Sequence, residues 1–352
     1  PNPALAAARP RLPPAAAMHA RRALPALAAW ERALPSDARR GLLDASARAI
    51  FGGSRNPSFW VSPGHEARTW FDRFALDVFW FHASRLGLSR RDVAKLGHGA
   101  GAEYWVQRRT MSQPRAQRGM DWHFDKDEDL LDEDDVTVTP AVSTVTYLTG
   151  AGWPLMVLSE PSLAQGQADA VLAPLSEEDV QLFVVFPTPG LHVAFRGDLY
   201  HGCPLELGGA CSGERLSLVA NVWLGHRPMG TSGSLGSGGA VSALPSALRG
   251  GAQRALAPAA EAEPTSVDAS GAELRVEFGP WQVSGLRLPR ELATNNPGAQ
   301  GDADAARSVW AVRHPAGEVS VDLHGRECRP QPPRRKPLRR GPPRPRATRT
   351  RS

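Results

Sequence analysis

The chain has 352 residues, enough to bury a sizeable core, and its 41% hydrophobic content and 10 Trp fit a globular protein, while 34 Gly and 32 Pro require long irregular stretches. The net charge of +5 is unevenly spread: residues 326–352 hold 11 of the 41 Arg and Lys but one of the 36 acids, so residues 1–325 are net acidic and the basic balance belongs to the tail. No apolar run approaches the roughly 18 residues of a membrane span, and three cysteines without metal-binding spacing argue against a disulfide framework and for a reducing compartment.

Residues 1–57 read as a poorly ordered N-terminal segment, with helical turns between Leu24 and Ile50 interrupted at Pro35. Its first 30 residues lack Asp and Glu and carry Arg9, Arg11, Arg21 and Arg22 among Ala and Pro. That composition is compatible with an organelle transit peptide or with Ala/Pro-rich low complexity. The compartment stays open between cytoplasmic and organellar. From Glu66 to Leu86, Trp70, Phe71, Phe74, Val78 and Phe81 recur at helical steps, predicting an amphipathic helix that covers a sheet. Ser89-Arg90-Arg91-Asp92 opens a second short helix, ended by Gly97-His98-Gly99.

Strand character begins at Glu103–Arg109 and returns at Asp121–Asp125, Val142–Leu148, Leu155–Leu158, Leu182–Phe186, Leu191–Phe195 and Arg215–Leu224. Short strands between Gly/Pro turns predict a mainly β sandwich or barrel of jelly-roll type, with a site between two curved sheets. Residues 58–226 are the expected domain, helical support included. Residues 227–270 read as a flexible linker or insert, 271–325 as a small β extension, and 326–352 as a disordered basic tail.

His123 and Asp125 are two apart on an extended segment, so both point to one face while Phe124 turns the other way. His201 arrives from a separate strand after the Gly197-Asp198 turn. Two imidazoles and one carboxylate cap one face of an octahedron and leave open positions, which suits non-haem Fe(II). On the strand that follows, Arg215, Ser217, Val219, Asn221 and Trp223 share one face, and Leu216, Leu218, Ala220, Val222 and Leu224 the other. An inward arginine is costly unless an anion meets it, either a ligand's carboxylate or a protein Asp or Glu. One of Thr146 and Tyr147 faces the interior, and Trp105 and Gln107 share a face of an earlier strand; all are weighed as pocket residues against ordinary packing. The acidic run Asp125–Asp135 reads as a solvated loop. His65, His82, His98, His192 and His226 read as surface or satisfied polar residues.

His123-Phe124-Asp125, the distal His201 and Arg215-Leu216-Ser217, in that order, resemble the signature of the Fe(II)/2-oxoglutarate-dependent dioxygenase superfamily. The resemblance covers roughly residues 100–226 and implies a double-stranded β-helix. It implies Fe(II) on His123, Asp125 and His201. It also implies 2-oxoglutarate with its far carboxylate on Arg215 and Ser217, with Tyr147 and Asn221 as further co-substrate contacts. With O2, such a site hydroxylates a C–H bond of a protein or small-molecule substrate and releases succinate and CO2. The run Pro140–Leu148 followed by Gly152-Trp153-Pro154-Leu155 is similar to the prolyl-4-hydroxylase-like branch, although that branch normally has Lys where this chain has Arg215. His123-Phe124-Asp125-Lys126-Asp127-Glu128 is similar instead to the alkylated nucleic-acid base dioxygenases. Those carry a second Arg at the place of Asn221 and need a basic surface, whereas this body is acidic. A different class stays open: an inactive β domain that binds polyanions through its basic tail.

Overall fold

A computed structural model of the chain describes residues 25–34, 39–51, 57–110, 113, 118–162, 181–203, 213–237, 242, 244–250, 253–268, 271–278, 281–289, 309–313 and 321–322. Two six-stranded sheets face one another. The first runs β1 (Leu27–Trp30), β8 (His192–Arg196), β5 (Val142–Tyr147), β10 (Glu214–Leu224), β3 (Ala100–Thr110), β2 (Phe59–Val61). The second runs β11 (Thr265–Asp268), β14 (Val309–Arg313), β7 (Leu182–Val185), β6 (Leu155–Ser162), β9 (Leu199–Cys203), β4 (Met120–His123). Within this frame β3 to β10 form a double-stranded β-helix, most successive strands crossing from one sheet to the other. A separate three-stranded sheet comprises β12 (Gly271–Phe278), β13 (Trp281–Pro289) and β15 (Val321–Asp322). No helix among the described residues is long and apolar enough to cross a membrane.

The outer face of the first sheet is covered by α1 (Arg39–Phe51) and α2 (Trp70–Arg85), and α3 (Arg90–Lys95) adds Val93 to the apolar cluster they form with it. The aromatic stripe read from Glu66 begins at Trp70, because Thr69 caps the helix by accepting a 3.0 Å hydrogen bond from the Asp72 amide. Trp70, Phe71, Phe74 and Val78 are buried in one cluster with Leu216, Leu218, Ala220, Val222 and Leu224 of β10. The opposite face of β10 looks into the sandwich, where Val145, Tyr147, Leu155, Val157, Val193 and Phe195 form a second core.

The structure departs from the sequence reading at both margins. Within the segment read as poorly ordered, Leu27–Trp30 pair with β8, while the helix Arg39–Phe51 falls where helical turns were expected. Ala-rich composition hides a strand whose four residues are all buried. Beyond residue 226, β11 and β14 join the second sheet through β7. The stretch read as a linker is anchored as well: Leu235, Leu244, Leu248, Ala255 and Leu256 enter the cluster beneath α2. Part of the run read as an acidic loop is α4 (Glu128–Asp134), capped by Asp127 and ended by Asp135 at φ 57°. Residues 1–24, 163–180 and the whole 326–352 tail lie outside the described residues.

One buried polar network fixes the 235–237 turn. Tyr104 donates to Asp72 Oδ1 at 2.5 Å and accepts from the Leu235 amide at 3.1 Å, while Asp72 Oδ2 accepts from the Gly236 amide at 3.1 Å. Asp72 is wholly buried, so losing the tyrosine hydroxyl leaves two polar groups without partners. Tyr104→Phe is expected to cost about 2 kcal/mol, read from the urea midpoint at constant m-value.

Two histidines read as surface or satisfied groups are deeply buried. His82 of α2 and His192 of β8 meet Nε2 to Nε2 at 2.9 Å, and His192 Nδ1 meets Thr146 Oγ1 at 2.6 Å. Burial drives His192 down to about 3, and burial, then His192 and Arg85, hold His82 well below its ordinary value. The unfolded chain, with histidines near ~6.5, therefore takes up protons that the folded chain refuses. Stability from this pair is complete above pH ~6.5 and is lost as pH falls toward the folded-state values, by up to about 1.4 kcal/mol per pH unit per ring. The urea midpoint should fall between about pH 7.5 and about pH 5, and less steeply in His192→Gln.

Candidate metal centre

His123 ends β4 and sits in register with His201 of β9. Their rings approach to 4.3 Å between centroids. Asp125 lies just past the strand end, and the backbone there still returns its carboxylate to the same side. Asp125 Oδ1 lies 3.7 Å from His123 Nε2 and 3.6 Å from His201 Nε2, and the three ligating atoms fall within 4.8 Å of one another. Each imidazole donates its Nδ1 proton to a carbonyl two residues earlier: His123 to Asp121 at 2.8 Å, and His201 to Leu199 at 3.0 Å. Such bonds set the tautomer and leave Nε2 as the free lone pair.

The charge states suit a divalent cation. Burial alone would raise the Asp125 carboxyl, but His201, His123, Ser143 and Asn221 together hold it below its ordinary value. Burial, aided by His123, lowers His201 to about 4, so its ring is neutral near pH ~7. An ionised carboxylate and neutral imidazoles are the forms that bind metal. Ser143 supports the site from β5 through a 2.6 Å bond to Asp125 Oδ2. The sequence reading passed over Ser143, although it shares strand parity with the inward Val145 and Tyr147.

Asn221, expected as a co-substrate contact, hydrogen-bonds Asp125 and so reaches a metal ligand, while its Oδ1 is buried without a hydrogen-bond partner. Its partner across the strands is Glu103, whose carboxyl is pushed up to about 7 by burial and accepts from Trp223 Nε1 at 3.2 Å. Asp127 is buried too and acts as a brace. It caps α4 through Leu130, and its Oδ2 accepts from His226 Nε2 at 2.7 Å and the Met229 amide at 2.9 Å.

The other end of the interior belongs to Arg215, which is 1% exposed. Its Nη1 donates to Gln107 at 2.6 Å, and its guanidinium carbon lies 5.4 Å from the Tyr147 ring centroid. Nε has no hydrogen-bond partner, nor does Ser217 Oγ; the Tyr147 hydroxyl supports the charge, and no carboxylate among the described residues pairs with the guanidinium. The sheet holds this side chain closely. Thr149 Oγ1 donates to the Glu214 carbonyl at 2.6 Å and accepts from the Leu216 amide at 2.9 Å, bracketing Arg215. Gly152, at φ +100°, lies so near that an added Cβ would come 2.5 Å from Arg215 Cβ, which accounts for glycine there. Of the paired alternatives on β5, Tyr147 faces inward and Thr146 faces the helices. Trp105 and Gln107 share the inward parity of β3, and Gln107 is the one that reaches Arg215. Cys203 is a free, buried thiol, and Cys211 lies outside the described residues.

No protein-family model matches the sequence, and no curated protein matches it. Among solved structures, the chain is similar to a Pseudomonas putida prolyl-4-hydroxylase at 20% identity, over 60% of this chain and 98% of that one, with a TM-score of 0.31. It is also similar to the non-heme alpha-ketoglutarate-dependent epimerase SnoN from nogalamycin biosynthesis, at 14% identity over 60% and 81%, TM-score 0.33. HygX from Streptomyces hygroscopicus, a structure with nickel and 2-oxoglutarate bound, matches at 16% identity over 56% and 82%, TM-score 0.28.

Proposed function

We propose that this protein is an Fe(II)- and 2-oxoglutarate-dependent oxygenase that hydroxylates a C–H bond of a protein or small-molecule substrate, with release of succinate and CO2. The observation that carries the reading is the convergence of His123 Nε2, His201 Nε2 and Asp125 Oδ1, with both rings turned by carbonyls at Nδ1. A set of two imidazoles and one carboxylate leaves the open positions that Fe(II) needs for a chelating co-substrate and oxygen. When bound, the iron, 2-oxoglutarate and O2 supply the oxidising power.

The chain's own residues orient and exclude. Arg215 offers a planar fork to a carboxylate in a buried space, where such a pair is strong. Ser217 shares its strand face and has an unused hydroxyl, and Tyr147 closes the wall beside them. Asn221 and Ser143 keep Asp125 ionised and aimed. The prolyl-4-hydroxylase-like branch is favoured over base repair, because the position of a second arginine holds Asn221, which is engaged with a metal ligand. A reducing compartment, cytoplasmic or organellar, suits both ferrous iron and the free Cys203. Polyanion contact through residues 326–352 would be separate from this chemistry.

His123→Ala and His201→Ala are each expected to abolish succinate release, and a chelator should stop it until Fe(II) is restored. Arg215→Met should raise the 2-oxoglutarate requirement at least tenfold, about 1.4 kcal/mol. Succinate release that persists in the histidine variants at the wild-type rate would reject the site.

A further inference from the structure

Arg215 does not occupy its end of the sandwich alone. Its direct partner across the β10–β3 ladder is Arg109, and residues directly opposite in an antiparallel pair share a face. Arg109 therefore stands on the inward face with Gln107, beside the arginine that Gln107 holds. Both guanidiniums lie within electrostatic reach of the Cys203 thiol, which reaches the same space from β9 in the opposite sheet. Arg109 is more than half buried, and burial, then Arg215, act to lower its affinity for its proton, with Cys203 and Asp121 acting the other way.

Like charges directly across a ladder are destabilising, and burial deepens that cost because water no longer screens them. Asp121, on the facing edge strand β4, favours the Arg109 charge but is itself exposed, so solvent weakens its help. At Arg215 the cost is plain: Nε is buried without a hydrogen-bond partner and the Ser217 hydroxyl beside it is unused, while Tyr147 supports the Arg215 charge from the other side. Two cations and the idle Ser217 hydroxyl fit one anion with several acceptor lone pairs.

We infer that Arg109 is a second guanidinium for the distal carboxylate of the co-substrate, closing with Arg215 a two-arginine clamp. The inference rests on the proposed 2-oxoglutarate chemistry and adds a residue to it. Arg215 is fixed by Thr149, Gly152 and Gln107 and supplies the rigid half. Arg109 sits beyond the short β2 pairing, near the end of β3, and supplies the adjustable half.

The test measures binding, not turnover, on the full-length protein loaded with Mn(II). 2-Oxoglutarate and pyruvate, which lacks the distal carboxylate, are each titrated by calorimetry into wild type, Arg109→Met, Arg109→Lys and Arg215→Met. Arg109→Met should weaken 2-oxoglutarate binding about tenfold, or about 1.4 kcal/mol, and leave pyruvate binding unchanged. Arg109→Lys, which keeps the charge and loses the fork, should lie between wild type and Arg109→Met. Wild-type affinity for 2-oxoglutarate in Arg109→Met, or equal losses for both ligands, would overturn the clamp and leave the proposed function standing. Failure of wild type to bind 2-oxoglutarate would instead remove the proposed function. Should Arg109→Met fail to fold, Arg109→Lys decides: undiminished 2-oxoglutarate affinity overturns the clamp, and a selective loss supports it.

Discussion

A guanidinium buried between two sheets is the constraint on which the rest of this interior depends. Burying an uncompensated cation costs several kcal/mol, and the fold meets that cost only in part, with one glutamine and one aromatic face. The surroundings hold the charge in place and do not neutralise it. Thr149 brackets the backbone of Arg215, and Gly152 leaves room for its side chain. The same strand turns its alternate residues toward the α2 aromatics. Site and core therefore share β10, so a loss of packing under α2 would be felt at Arg215 and Asn221 together.

Along the inward faces of β10 and β3 the polarity reverses. Arg215 stands opposite Arg109 at one end, and Asn221 opposite Glu103 at the other, six residues away on each strand. At about 3.3 Å per residue the backbone spans about 20 Å between these levels. The cationic end faces Cys203 and Tyr147, and the anionic end faces Asp125. A ligand carboxylate would be favoured at the cationic end and opposed by Asp125 at the other. Orientation of this kind comes from fixed charges in a poorly solvated space, where they act far more strongly than in water.

How far the sequence shows this depends on how local each signal is. The alternation of Arg215–Leu224 carries both the core face and the polar face, because strand parity is a property of the chain itself. The pairing of His123 with His201 is legible only through a motif, since nothing local places residues 78 positions apart in register. The strand Leu27–Trp30 escapes notice because its Leu-Ala-Ala-Trp is indistinguishable from the surrounding alanine-rich chain, and its strand character is imposed by β8. Leu235, Leu244 and Leu248 are lost among Gly and Ser for a related reason: isolated apolar residues have no period, and only the groove beneath α2 explains them. His82 and His192, read as surface or satisfied groups, are of the satisfied kind. Each is an ordinary histidine in sequence, and only their meeting at 2.9 Å makes them a buried neutral pair.

The His-x-Asp-Lys-Asp-Glu run shows why a motif needs its geometry. In sequence its second aspartate, Asp127, reads as part of a solvated acidic loop. In space Asp127 is 3% exposed, and both of its oxygens are engaged. Burial would raise its carboxyl, but the bonds from His226, Met229 and Leu130 hold it below its ordinary value. It ties the start of α4 to the chain leaving β10, and so fixes the segment that follows Asp125. The other acids of α4, unlike Asp127, are exposed. Asp127, a surface acid by its sequence, is thus a structural brace of the fold.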